Sequence, residues 1–457
     1  MKSLLRQRAR RDKTFCFVLA VALTAATLSA SGAGATGHLA PTPPFVVKAE
    51  VHIAHTKLGD VQYRAIGHGP ALVLIMGYAG TMQTWDPHFV DSLALHFRVI
   101  TFNNAGIGNT SALGTPLSID EMADQTSALI TTLRLGDPDV LGWSMGSMIA
   151  QSLAIRHPGQ VRRLILCATY PGSGNAVQPS QKDVAALTDG DVAAAQADLF
   201  PADQAMAAAA FDGGLGAYPP TATTPAKVIA NQKTAVLSWF NGSEASGHRA
   251  NQISIPTLVA DGADDRIDAS SNDQEVASQI HGSRLMLYPN AGHAFLFQEG
   301  EAFSFLVRTF LAGVPTPLNQ SQIRRYYLVD YKTVTEAGTK WVASLKSLSA
   351  STTAQDLARI DLRYADAQGA FDGELLSFGA KGALGASVHA FVGVNELVVR
   401  YVQAFSVQIG PEGKRWTAAI KKDGKVLLVD ENVLRHELGL SPIVAPTPTT
   451  TTTTTLF

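Results

Sequence analysis

The chain has 457 residues, 46% of them hydrophobic and 16% charged, with a formal net charge of −2. That is an ordinary folded composition, long enough for two or three domains and able to bury a core. Residues 1–35 hold six cations and one acid, which leaves 30 Lys and Arg against 37 Asp and Glu beyond them. The remainder is mildly acidic and carries no basic stripe, which argues against a nucleic-acid partner.

The N-terminal cations (Lys2, Arg6, Arg8, Arg10, Arg11, Lys13) precede an apolar run from Phe15 to Ala30 and then Ala33-Gly34-Ala35. This is the order of a secretory signal peptide over 1–35, with A-x-A as the cleavage site. The run is shorter than the roughly 20 residues that span a bilayer comfortably, so cleavage and a secreted or cell-envelope location are expected. An uncleaved anchor, with membrane association through the N-terminus, is the alternative. Cys16 lies in that segment and Cys167 in an apolar run. The mature chain therefore keeps one thiol, which reads as a small core residue rather than a nucleophile.

From about 46 to 312, short runs rich in Val, Ile and Leu alternate with helical segments. The strand-like runs are ALVLIMG (71–77), FRVITFN (97–103), DVLGWS (139–144), VRRLILCAT (161–169), PTLVADG (256–262) and SRLMLYPN (283–290). Several are apolar on both faces, as in a parallel sheet covered on both sides. Helices are predicted over 118–135, 145–157, 272–281 and 301–313, the first opened by a Ser118/Glu121 capping box. The expected fold is α/β, a doubly wound and mostly parallel sheet. Residues 171–250 break the rhythm with Ala, Gly and Pro, and read as a helical lid inserted between core strands. Residues 316–442 read as a mostly helical C-terminal region without a chemical motif, whose protein partner is unknown. Residues 443–457 read as a disordered Thr-rich tail.

Gly142-Trp143-Ser144-Met145-Gly146 fits G-x-S-x-G, and its context is a strand running into the serine with a helix beginning directly after it. A sharp strand-to-helix turn brings backbones close together, where side chains at 142 and 146 would collide. The turn presents the Ser144 hydroxyl beside a helix N-terminus, which favours developing negative charge. A neutral serine needs a base and a group to orient it, in the chain order Ser, acid, His. Beyond the last core acids stand His281, His293, His389 and His436. His293, in the turn PNAGHAFLF after a strand, is the expected base. DGADDRID after the 256–262 strand supplies the acid: Asp265 is the choice and Asp264 its competitor, with Asp261 and Asp268 read as solvated loop acids or turn formers. Oxyanion donors are expected from the N–H groups of Met145 and Tyr78, the latter in MGYAGT. Trp85 reads as a core aromatic, a reading that stays open for Trp143, and His52 and His55 read as surface residues flanking a strand.

Taken in order, GYAGTMQTW, FNNAGIGNTS, GWSMGS, PTLVADGADD and YPNAGHAFLFQ make residues 48–312 resemble the α/β-hydrolase fold family, in its soluble lineage with a helical lid. The resemblance implies Ser144 as nucleophile, Asp265 as acid, His293 as base and oxyanion donors at Tyr78 and Met145. It requires no metal or organic cofactor. Two departures stand out. Met76-Gly77 replaces the frequent His-Gly, and Asn103-Asn104-Ala105-Gly106 replaces Asp-x-Arg-Gly, which removes an acid and a base from that loop. Serine at 144 counts against haloalkane dehalogenases and epoxide hydrolases, which carry aspartate there. The expected activity is hydrolysis of small carboxylic ester-like molecules through an acyl-enzyme. Perhydrolase or haloperoxidase chemistry, thioesterase, C–C hydrolase or aminopeptidase activity on the same site are the alternatives. A partner-binding role for the C-terminal region is the non-enzymatic one.

Overall fold

In the computed structural model the described residues are 46–313 apart from 187–191, 220–223 and 289, together with 340, 371, 388, 392, 430, 432–436 and 440. The chain divides into two units, residues 40–315 and residues 1–39 with 316–457, and the sheet lies wholly in the former. The expectations for 1–35, for the Thr-rich tail and for most of 316–442 fall outside the described residues. Among the described residues, no helix is long and apolar enough to cross a membrane.

Eight strands form one sheet: β1 (His52–Thr56), β2 (Gly59–Ile66), β3 (Ala71–Ile75), β4 (Arg98–Phe102), β5 (Asp139–Trp143), β6 (Leu164–Cys167), β7 (Thr257–Gly262) and β8 (Arg284–Tyr288). Their spatial order is β1-β2-β4-β3-β5-β6-β7-β8. β1–β2 and β2–β4 pair antiparallel and every other neighbour pairs parallel. β5, β6 and β7 are buried along their whole length, which is why they read as unbroken apolar runs. The hairpin β1–β2 is only partly buried, with Ala54 in β1 and Val61, Arg64 and Ile66 in β2 as its buried residues. His52 and His55 lie within β1 rather than flanking it, with His55 exposed and its Nδ1 2.7 Å from Asp60 Oδ1.

The helices of the core are α1 (Pro87–Ala94), α2 (Ile119–Thr132) and α3 (Met145–Arg156). Four more lie in the insertion between β6 and β7: α4 (Gln181–Ala186), α5 (Val192–Leu199), α6 (Ala205–Leu215) and α7 (Ala226–Phe240). Then come α8 (Ser270–Gln279), α9 (Phe295–Gln298) and α10 (Gly300–Leu311). Ser118 and Glu121 form the reciprocal capping box at the start of α2. Arg134 and Gly136, both at positive φ, follow it, so α2 ends short of the predicted 135. Trp85 and Cys167 are fully buried, and burial pushes the Cys167 thiol well up, away from nucleophilic character.

β3 leads to β4 on one side, and the chain then crosses back to β5 on the other. The carboxyl ends of β3 and β5 therefore flank the point where strand order reverses, which is where open α/β sheets bind ligands. The loops that follow β3, β5, β7 and β8 all leave from that edge.

Candidate active site

Ser144 occupies the bend between β5 and α3 at φ 57°, ψ −125°, a left-handed backbone that is costly for a side-chain-bearing residue. The flanking glycines make it attainable. A Cβ at Gly142 would lie 2.2 Å from the Gly146 carbonyl oxygen, and one at Gly146 would lie 2.0 Å from that of Ile75. The bend is then pinned. Ser144 N–H donates to the Cys167 carbonyl at 2.9 Å, and the Ser147 N–H and hydroxyl both donate to the Ser144 carbonyl, at 2.8 and 2.6 Å. Met145 is the first residue of α3, so its N–H has no carbonyl one turn back inside the helix.

Histidine and acid meet at the far side of this edge. His293 Nδ1 donates to Asp265 Oδ2 at 2.6 Å, with the His293 side chain 3% and the Asp265 side chain 0% exposed. The other oxygen of Asp265 accepts the N–H groups of Ile267 and Asp268 at 2.7 and 2.8 Å. Between the two candidate acids the structure brings Asp265 to the histidine; Asp264 is exposed. Trp143, next to the serine, donates its indole N–H to the His293 carbonyl at 2.9 Å. Its ring lies 5.5 Å from the imidazole, centroid to centroid. This aromatic thus braces the histidine as well as filling the core. Phe297 packs edge-on to Trp143 and is stacked in turn by Phe211 of α6.

Asp261 and Asp268 are not solvated: both are fully buried with Asp273. Asp261 lies inside β7, and α8 packs against that strand, so no water-facing side remains. Burial first, then repulsion among the acids, holds the Asp261 and Asp268 carboxyls well above the ordinary range, and burial dominates for Asp273. One oxygen from each lies within 4.8 Å of the others. These are the residues among those described whose geometry could hold a hard cation, though Thr169 N–H and the Asn272 amide already donate to two of them.

The loop after β3, carrying Tyr78, is tied down by residues to which no role was assigned from the sequence. Asn104 Nδ2 donates to the Met76 carbonyl at 2.8 Å, and Asn103 Oδ1 accepts the Met82 N–H at 2.7 Å. The altered Asn-Asn pair thus holds this loop with neutral amides. Gln232 of α7 accepts the Ala79 N–H at 2.9 Å, and Thr224 donates its hydroxyl to the Ala79 carbonyl at 2.8 Å. Asn103-Asn104 was visible as a departure from the family pattern; Gln232 and Thr224 carry no sequence signal. Tyr78 itself is half-buried, and burial raises its phenol pKa.

A mostly parallel sheet with a serine bend after β5 and a hydrogen-bonded acid–histidine pair after β7 and β8 defines a class. The chain belongs to the α/β-hydrolase fold family, whose model matches residues 70–300, and it is an enzyme of that family. It is 30% identical over 284 residues to a Mycobacterium tuberculosis protein, BpoC, that bears the name of a non-heme bromoperoxidase, covering 56% of this chain and 98% of that one. It is also 30% identical over 210 residues to the pimeloyl-[acyl-carrier protein] methyl ester esterase of Neisseria meningitidis serogroup C, covering 44% of this chain and 77% of the relative. A solved α/β-hydrolase fold protein from Chitinophaga pinensis is 26% identical with a TM-score of 0.48, covering 58% of this chain and 98% of that one.

Proposed function

We propose that the protein hydrolyses small carboxylic esters by acyl transfer through Ser144, with His293 as base and Asp265 as the acid that orients it. The observation that carries this reading is the buried 2.6 Å bond from His293 Nδ1 to Asp265 Oδ2, which leaves Nε2 as the acceptor nitrogen. In the first step Nε2 takes the Ser144 proton as Oγ attacks the ester carbonyl carbon. The oxyanion is met by the N–H groups of Tyr78 and Met145. The C–O bond then breaks, and His293 returns the proton to the departing alcohol. In the second step His293 deprotonates water, hydroxide attacks the acyl-enzyme, and the acid leaves as Ser144 regains its proton.

A second reading keeps the serine but lets peroxide replace water in the second step, giving a peracid. The name of the Mycobacterium tuberculosis relative, 30% identical over 98% of its length, favours testing it. We also propose export of the chain with cleavage after Ala35, on the strength of the basic, apolar and small-residue order at the N-terminus. N-terminal sequencing of the protein recovered outside the cell checks this.

Ser144→Ala is expected to lower turnover of short p-nitrophenyl esters by at least about 10³-fold and to leave the circular dichroism spectrum unchanged. A fluorophosphonate should label the wild type at Ser144 and leave the variant unlabelled. Undiminished turnover in the variant would end the assignment. Adding hydrogen peroxide and following halide oxidation separates the two readings of the second step.

A further inference from the structure

We infer that Gln232 of α7, together with Thr224, is a positioning residue for the oxyanion loop, so that the lid sets the geometry of the Tyr78 donor. The inference rests on the Ser144 reading above.

Ala79 follows Tyr78 and adopts φ +58°, a left-handed backbone that a residue with a Cβ keeps only where its surroundings over-determine it. Both of its backbone groups are taken by the insertion between β6 and β7. Gln232 Oε1 accepts the N–H at 2.9 Å, and the Thr224 hydroxyl donates to the carbonyl at 2.8 Å. The partners lie 153 and 145 residues away along the chain. Two bonds to one strained residue fix the Tyr78–Ala79 and Ala79–Gly80 peptides, and through the former the orientation of Tyr78.

The chemistry of Gln232 argues against simple packing. It shares the inner face of α7 with Ala235 and Trp239, and all three are fully buried. The Ala79 donor settles which way the amide faces, leaving Nε2 buried with no acceptor among the described residues. A buried amide satisfied on one side only is a poor choice for filling space, where Leu or Met would leave no polar atom unmet. The contact with Ala79 accounts for its presence. Opposite the clamp, a Cβ placed on Gly77 would lie 3.1 Å from the Ser144 Cβ, so this loop and the serine bend adjoin directly.

The test is Gln232→Met, similar in length and lacking the acceptor, beside Thr224→Val and Thr224→Ser. Oxyanion donors act in the transition state more than in substrate binding. For p-nitrophenyl acetate, Gln232→Met should lower kcat by about 10-fold or more with KM moved less than about 3-fold, as misplacement rather than loss of a donor predicts. Thr224→Val should lower kcat less, and Thr224→Ser should restore it. The rate of fluorophosphonate labelling should fall in parallel, because the phosphonyl oxygen occupies the same position. Unchanged kcat in Thr224→Val and Gln232→Met, or a rise in KM alone, overturns the clamp. If Gln232→Met does not fold, the Thr224 pair decides by itself. A wild type that neither labels nor turns over esters brings down the Ser144 reading and this inference with it. Normal labelling of the wild type with unaltered variants brings down this inference alone.

Discussion

The bend at Ser144 and the segment after β7 both project from the carboxyl edge of one sheet, yet opposite kinds of force shape them. At the bend the constraint is steric: Gly142 and Gly146 are held to hydrogen by carbonyl oxygens about one bond length too close for a Cβ. After β7 the constraint is electrostatic. Asp265 is provided with two N–H donors and an imidazole, while Asp261, Asp268 and Asp273 crowd together in the dry interior beside it. A steric constraint selects a residue type and leaves a motif. An electrostatic one depends on burial and partners, so identical residue types a few positions apart acquire different roles.

Exchanging the acids should break that comparison most forcefully. Asp265→Asn keeps the shape but loses the charge that holds Nδ1–H toward it, and kcat is expected to fall by about 10³–10⁴-fold. Asp264→Asn, at an exposed neighbour, should stay within about 2-fold of wild type. A steady-state comparison on one p-nitrophenyl ester measures both, and equal losses would mean that the loop as a whole, rather than the Asp265–His293 bond, supports activity.

Gly146→Ala probes the steric side. Its methyl would meet the Ile75 carbonyl oxygen at 2.0 Å, and backbone cannot yield as a flexible side chain can. Destabilisation of about 2–3 kcal/mol is expected, read from the urea midpoint at unchanged m-value. A wild-type midpoint would show that the bend is not fixed by close approach.

The contrast also marks what the sequence made legible. The bend at Ser144 is legible because its glycines and its strand-to-helix context are local, and the turn carrying His293 because Pro, Asn and Gly follow a strand. Asp264 and Asp265 were not separable, since adjacent loop residues face different ways and only the path of the loop decides which meets the imidazole. Asp261 was misread for a related reason: it is the penultimate residue of β7, and α8 closes over the strand. A strand is legible between His52 and His55, but β2 does not stand out among the apolar runs because GDVQYRAI is half open to water. The bond from Trp143 to the His293 carbonyl is not legible in the sequence because it spans 150 residues. The contacts from the insertion between β6 and β7 to Ala79 are not legible for the same reason: a glutamine and a threonine of common type acquire meaning only from a partner far along the chain.

The smallest expected effect concerns the crowded acids and is a matter of sign. One carboxyl oxygen from each of Asp261, Asp268 and Asp273 lies within 4.8 Å of the others, and such neighbours can hydrogen-bond only when a proton lies between them. Burial raises all three folded-state pKa values above the unfolded value of about 3.9, and repulsion among the acids adds to it for Asp261 and Asp268. Below about pH 4 both states are protonated and the groups cost nothing. As pH rises further, the unfolded chain releases protons that the folded chain retains, so the folded state binds more and stability falls with pH until the folded pKa values are passed. Asp261→Asn puts a permanent donor against Asp273 and removes one titrating group. The variant should match wild type near pH 4 and exceed it near pH 8, by about 1–2 kcal/mol or about 2–5 °C in Tm. Thermal unfolding at a series of pH values reads the difference directly. Parallel curves for the two proteins would mean that the three carboxyls are ionised in the fold and held by something other than shared protons.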